Sequence, residues 1–278
     1  MDGNENSLVT EWTAHIEDLL ALAADFSGHE IRSPDTPHDK EVAKVVAFKF
    51  VQVTRSTKSV LLLCRNGDAS NAFVLMRAIY ENLVDVAYLV KNPTDVWRYL
   101  EESADLENKL TSAGLIHAQP MHAAIGGRRP SADRLRERYS ALAHQHSSCK
   151  SWKRLGVRTK AEKCGFSDIL GYYDIIYPVA SGYIHGSSTI MLDYLRSIRS
   201  EELEFRVDYS EHERETEPAL GISAMLLLRF VAFLDALFEF GLRENVEGLN
   251  ASQIMLLELA QSRLLQRYTS PGGSRPEG

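Results

Sequence analysis

Apolar residues recur at helical spacing along most of the chain and are densest between Lys58 and Lys91. There the pattern predicts the end of one long helix, a break at Asn66-Gly67, and a second helix capped by Asp68 and stopped by Asn92-Pro93. At 100° per residue, Phe73, Met76, Ile79, Tyr80, Leu83, Val86, Ala87 and Val90 fall within one arc of roughly 140°. Leu75 widens that arc, and Val74 and Tyr88 lie beyond it. A helix apolar on so many sides needs cover from several neighbours, so 68–91 is expected at the centre of a multi-helix bundle.

The same periodicity predicts an amphipathic helix over 7–26, built on Leu8, Trp12, Ile16, Leu19, Leu20 and Ala23. A long helix follows from a cap at Asp39 to Arg65. Thr94 is the expected cap of a fourth, running through Val96, Trp97, Leu100 and Leu106 to Leu115. Two prolines and a glycine pair make 116–131 a loop and a candidate mobile segment. A charged helix is expected from Ser131 to His144, with shorter ones at 159–164 and 168–186. The alternation in LEFRVDY (203–209) fits an extended stretch or small hairpin, and one strand makes no sheet. Glu217-Pro218 opens a long apolar helix to Leu242, and Asn250 caps a last one ending at Tyr268. The expectation is an all-α fold, a single helical domain over 7–268, with flexible polar tails at 1–6 and 269–278.

Polar residues set into these apolar helices are the candidate chemistry. Arg77, Glu81 and Asp85 follow at i, i+4 and i+8 and form one stripe on the central helix. The stripe is either a solvated edge, with an Arg–Glu pair worth about 0.2–0.5 kcal/mol, or a buried seam facing another polar helix. On the helix 168–186, Asp174, Ser181 and His185 fall within roughly 40° of one another. Tyr177 borders them, and Pro178 is expected to kink or restart the helix. His185 lies in the last turn, where the helix dipole favours an imidazolium. The set suits a general acid–base histidine, or a capping histidine bonded to Ser181 and its own helix end. Burying either stripe against hydrocarbon costs several kcal/mol, so Arg77 and Glu81 are expected to face Ser181 and His185.

Composition is that of a globular protein: 278 residues, 44% hydrophobic and 25% charged. Cys64, Cys149 and Cys164 form no disulfide framework, and the acidic N-terminus has no signal-peptide pattern, so a reducing cytoplasm is the simplest compartment. The stretch Ala219–Leu242 is long enough to span a bilayer, but Arg229, Asp235 and Glu239 interrupt it. A core or subunit-interface helix, with no membrane, is the expectation. His144, His146 and Cys149 share no metal-ligand frame, and no phosphate loop, HExxH or nucleophile elbow occurs, so neither metal nor cofactor is expected.

Charge adds one further candidate. The net charge is −7, yet the segment 128–163 holds eleven Lys/Arg against three acidic residues. That imbalance suits RNA or another polyanion held by Arg128, Arg129, Arg134, Arg136, Arg138, Lys150, Lys153 and Arg154. It equally suits docking on the acidic remainder of the chain, or on a second subunit of a homodimer.

Two stretches, LLLCRNGDASNAFVLMRAIYENLVDVAYL and SWKRLGVRTKAEKCGFSDILGYYDIIYPVASGYIHGSS, together resemble a widespread bacterial family of unknown function. Its pattern is an L-x-R-x-x-x-E helix with an aromatic-rich end, then a Trp, then Y-x-x-x-S-x-x-x-H before a small residue. The matching residues are Arg77, Glu81, Trp152, Tyr177, Ser181 and His185. The resemblance covers residues 40–200 and implies an all-α fold without an activity. A more distant similarity is to the helical ribonucleases of toxin and antiviral systems, the higher eukaryote and prokaryote nucleotide-binding class. Those set an Arg and a His four to six residues apart on one helix. No Arg precedes His185 in its helix, so Arg77 would supply the cation from another.

Two functional readings follow. One is a non-catalytic interaction module in which Arg77, Glu81, Ser181 and His185 fix helix packing. The other is a nucleic-acid-directed protein, in its sharpest form a metal-independent ribonuclease. His185 would then act as general acid–base and Arg77 would stabilise phosphorane charge, with Ser181, Glu81 and Asp174 orienting them beside Tyr177.

Overall fold

In the computed structural model, residues 5–26, 35–117, 132–185 and 213–269 are described. Their regular structure is helical throughout, with no strand among the described residues. The helices are α1 (Glu5–Asp25), α2 (Pro37–Arg65), α3 (Ala69–Lys91), α4 (Val96–His117), α5 (Ala132–His146), α6 (Val157–Lys163), α7 (Ser167–His185), α8 (Glu213–Phe238) and α9 (Arg243–Thr269). The expected tails, the loop 116–131 and the extended stretch 203–209 lie outside the described residues, except for 5–6, 116–117 and 269, which are helical; Ile116 and His117 close α4. The chain divides into two compact units, one of residues 1–32, 48–83 and 172–278, the other of 33–47 and 84–171. Helices α2, α3 and α7 each contribute residues to both.

The first unit buries one face of α1 against α8 and α9. Leu8, Trp12, Ile16 and Leu19 of α1, and Leu220, Leu226, Leu227, Phe230 and Val231 of α8, are almost wholly shielded from water. Phe26 closes this core with edge-on contacts to Phe50 and Phe240, ring centroids 5.4 and 4.8 Å apart. By length and composition α8 could cross a bilayer, but most of it is buried inside the protein, as expected of a core helix. In α3, Met76, Ile79, Tyr80 and Leu83 are buried, as are Val84, Val86, Ala87, Tyr88 and Leu89 in its second half. The second unit packs α4 against α5, with the turn Pro93–Asp95 touching both.

Local chemistry sets the helix ends. Thr36, not Asp39, caps α2: its hydroxyl oxygen accepts the Asp39 N–H at 3.2 Å and donates to the Asp39 carboxylate, with Pro37 in the first helical position. Asp39 is thus the third residue of the first turn, answering the cap. Helix α2 ends where Gly67 adopts φ +74°, the Asp68 N–H reaching the Leu63 carbonyl and the Gly67 N–H the Cys64 carbonyl, a Schellman closure.

Several expected ends move, among them the opening of the long apolar helix, which starts at Glu213 rather than Glu217 and carries Pro218 inside it. The long apolar helix stops at Phe238 rather than Leu242: Glu239 adopts φ +53° directly after it, Gly241 (φ +76°) turns the chain again, and the Asp235 carboxylate takes the Leu242 N–H at 2.9 Å. Helix α9 therefore begins at Arg243, leaving Asn250 inside it. A 3₁₀ turn, Pro93–Asp95, leads into α4 in place of the expected cap at Thr94. Helix α7 runs through Pro178 without restarting. The proline costs only the bond to the Asp174 carbonyl, and both residues are exposed to water.

Candidate functional site

In the first unit the two polar stripes do meet, through Arg77. Its Nε donates to Glu81 Oε1 at 2.9 Å, Nη2 to the Tyr177 hydroxyl at 2.6 Å, and Nη1 to Ser181 Oγ at 3.4 Å. The guanidinium carbon also lies 4.4 Å from the centroid of the Tyr177 ring. Hydrogen bonding to Glu81 raises the Arg77 pKa above its already high value. Tyr173 stacks on Tyr177 at 4.8 Å, and Phe73 stacks on Tyr183 at 4.7 Å, so aromatic contacts flank the cluster on both helices. The Arg77 and Glu81 side chains are 24% and 38% exposed, neither sealed nor fully solvated.

The cluster is smaller than the stripes implied. Asp174 and His185 are exposed on α7, and no hydrogen bond or ion pair joins either to the Arg77 group among the described residues. Asp85 leaves the stripe altogether. In the second unit its carboxylate accepts a 2.8 Å bond from Lys160 Nζ, with the two side chains only 14% and 8% exposed. The Lys160 ammonium sits 4.0 Å over the Trp152 ring, which packs edge-on against Tyr88 and Tyr99. One member of the basic segment is thereby internal.

Sequence reading missed Asp95. Wholly buried, its carboxylate accepts from the Tyr88 hydroxyl at 2.6 Å, the Ser147 hydroxyl at 2.9 Å, and the Ser148 and Cys149 N–H groups at 2.8 and 2.9 Å. Burial alone would push this carboxyl up; the bonds from Tyr88, Cys149, Ser147 and Ser148 outweigh it and hold the group below its usual range. Burial likewise raises the Tyr88 hydroxyl. The only available signal was a turn-forming Asn-Pro-Thr-Asp run, which names no distant partner. Cys64 is buried, and burial with nearby Asp68 pushes its thiol up to about 12, so it is no thiolate nucleophile.

The second unit also contains an open cleft of about 1300 Å³. Arg98, Arg136, Lys150, Lys153, Arg154 and Lys163 line it, against Glu101, Glu102 and Asp105. Arg98 pairs with Glu101, and the Asp105 carboxylate is shared between Arg136 at 3.6 Å and Lys153 at 3.9 Å. Lys150, Arg154 and Lys163 pair with no carboxylate among the described residues. Among the described residues lining the cleft, the six cations exceed the three carboxylates of α4. Arg134 and Arg138 are exposed on α5 but do not line the cleft, and Arg128 and Arg129 lie outside the described residues. No three His, Cys, Asp or Glu side chains group as a metal site among the described residues.

An all-helical protein with an arginine-centred cluster joining L-x-R-x-x-x-E to Y-x-x-x-S, and a separate cationic cleft, is the class these features define. The chain belongs to DUF5677, a family of unknown function, which it matches over residues 43–202. Arg77, Glu81, Asp85, Asp95, Lys160, Tyr177 and Ser181 all fall inside the matched region, whereas α1, α8 and α9 fall outside it. No curated protein and no solved structure matches the chain.

Proposed function

We propose that this protein is a non-catalytic, nucleic-acid-directed binding protein that holds the phosphate backbone of RNA in the cationic cleft of its second unit. The observation that carries this reading is a set of three cations, Lys150, Arg154 and Lys163, that line one open cleft and pair with no carboxylate among the described residues. Among the described residues lining the cleft, Tyr88 is the one aromatic, and it is buried with its hydroxyl committed to Asp95. These residues offer no open ring for base stacking, and the proposed recognition rests on phosphate charge, independent of sequence.

The Arg77 cluster supports a packing role in this reading. Three of its five N–H donors are held by Glu81, Tyr177 and Ser181, and the Glu81 carboxylate already answers its charge, which weakens its pull on a phosphate. The ribonuclease form of the hypothesis needs Arg77 and His185 on one phosphate, and no bond links His185 to the cluster among the described residues.

The test is fluorescence anisotropy with a labelled RNA oligonucleotide of mixed sequence, titrated at several salt concentrations. Binding should weaken steeply with salt, and replacing Lys150, Arg154 and Lys163 by Gln should flatten the log–log slope by about 2, at roughly 0.7 per lost phosphate contact. Absence of binding at low salt, or an unchanged slope in the triple variant, would refute the reading. Intact RNA after incubation with wild-type protein, matching a His185→Ala control, is the expected outcome on the catalytic side.

A further inference from the structure

The cleft is lined in part by residues 148–151 and 153–155, and the backbone of this segment is held by two carboxylates. Glu102 on α4 spends both oxygens on it: Oε1 accepts the Trp152 N–H and Oε2 the Lys153 N–H, each at 2.8 Å. Asp95 takes the Ser148 and Cys149 N–H groups at 2.8 and 2.9 Å. Lys150 lies between the two grips, and Lys153 and Arg154 stand at and just beyond the second. Three cleft cations thus project from backbone fixed by acidic side chains.

That arrangement is costly if charge were all that mattered, since a carboxylate beside a cationic cleft repels the anion the cleft would bind. A fixed segment, however, loses less conformational freedom when its side chains engage a ligand. We infer that Glu102, with Asp95, is a positioning residue for the anion site: it holds the 147–155 segment so that Lys150, Lys153 and Arg154 present their charges together. The inference rests on the cleft reading and adds residues of the opposite sign to the ligand's binding machinery.

Charge and positioning predict opposite signs, so one measurement separates them. Glu102→Gln removes a negative charge from the cleft and also one of the two oxygen acceptors. Asp105→Asn removes an equal charge from a carboxylate lying between the Arg136 and Lys153 side chains. With the same labelled RNA and full-length protein, Asp105→Asn should bind a few-fold more tightly and Glu102→Gln about tenfold more weakly than wild type. Glu102→Asp keeps the charge but shortens the reach, and should also weaken binding. Thermal unfolding of each variant establishes that it is folded; if Glu102→Gln is not, Glu102→Asp carries the test. Wild-type binding with the folded Glu102 variants as tight as wild type, or tighter, would overturn the positioning role alone. Failure of the wild-type protein to bind RNA would overturn the cleft reading, and the inference with it.

Discussion

Arg77 and Lys160 show how the setting of a single cation decides its worth. Arg77 is partly open to water, so its loss lets Glu81 turn outward and recover solvation. Arg77→Ala should cost roughly 1–2 kcal/mol in urea unfolding, and leave RNA binding in the other unit unchanged. A cost near zero would mean that the cluster holds nothing together. Lys160 is buried with its carboxylate, and removing it takes the opposing charge away from Asp85 in a poorly solvated site. Lys160→Ala should therefore cost about 3 kcal/mol or more, while Lys160→Met combined with Asp85→Leu recovers much of the loss. A double variant as unstable as the single one would contradict that account.

At the scale of elements, stop and start signals carry measurable energy. Gly67 holds φ +74° with open space where a Cβ would stand, so Gly67→Ala meets backbone strain and no clash. The expected loss is about 1 kcal/mol, with Gly67→Asn losing less because Asn tolerates the left-handed region. Thr36→Ala should cost about 1 kcal/mol by removing the α2 cap, whereas Asp39→Ala leaves the Thr36 oxygen free to accept the same N–H. Equal effects of the two substitutions would argue against Thr36 as the cap. Most helices were legible because a 3.6-residue apolar period and glycine breaks are local properties. The mislocated ends, Leu242 and Asn250, came from treating Glu239 and Gly241 as helix interior, when Glu239 at φ +53° stops α8 and Gly241 at φ +76° turns the chain towards α9.

For the whole molecule, acid should act in two windows. Burial lowers the His15 pKa from 6.5, so the fold favours its neutral form. That contribution is complete above the unfolded value of 6.5 and is lost as pH falls from there through the lowered folded value. Asp95 is also lowered, from 3.8, so its contribution is complete above that value and is lost on further acidification. Urea midpoints measured against pH should fall in two steps, and His15→Phe should remove the upper one. An unchanged upper step in that variant would assign it elsewhere.

By itself the sequence determined an all-helical protein, a central apolar α3, and two helices each carrying polar residues at an edge, because these follow from spacing along the chain. It also indicated that Arg77 and Glu81 would face Ser181 and His185, since isolated polar groups on apolar helices need partners; Arg77 reaches Ser181, whereas no bond joins His185 to the cluster among the described residues. Only the tertiary structure decided how the partners divide. Asp85 shares a helical stripe with Arg77 and Glu81, yet it turns to Lys160, 75 positions away, while Arg77 reaches Ser181, 104 away. Asp95, which an expected cap at Thr94 put at the start of α4, proved to hold a segment more than fifty residues distant. Periodicity reports which side of a helix is polar. Which cation or backbone amide lies opposite depends on the helix packed across from it, a relation between distant stretches that no local spacing contains.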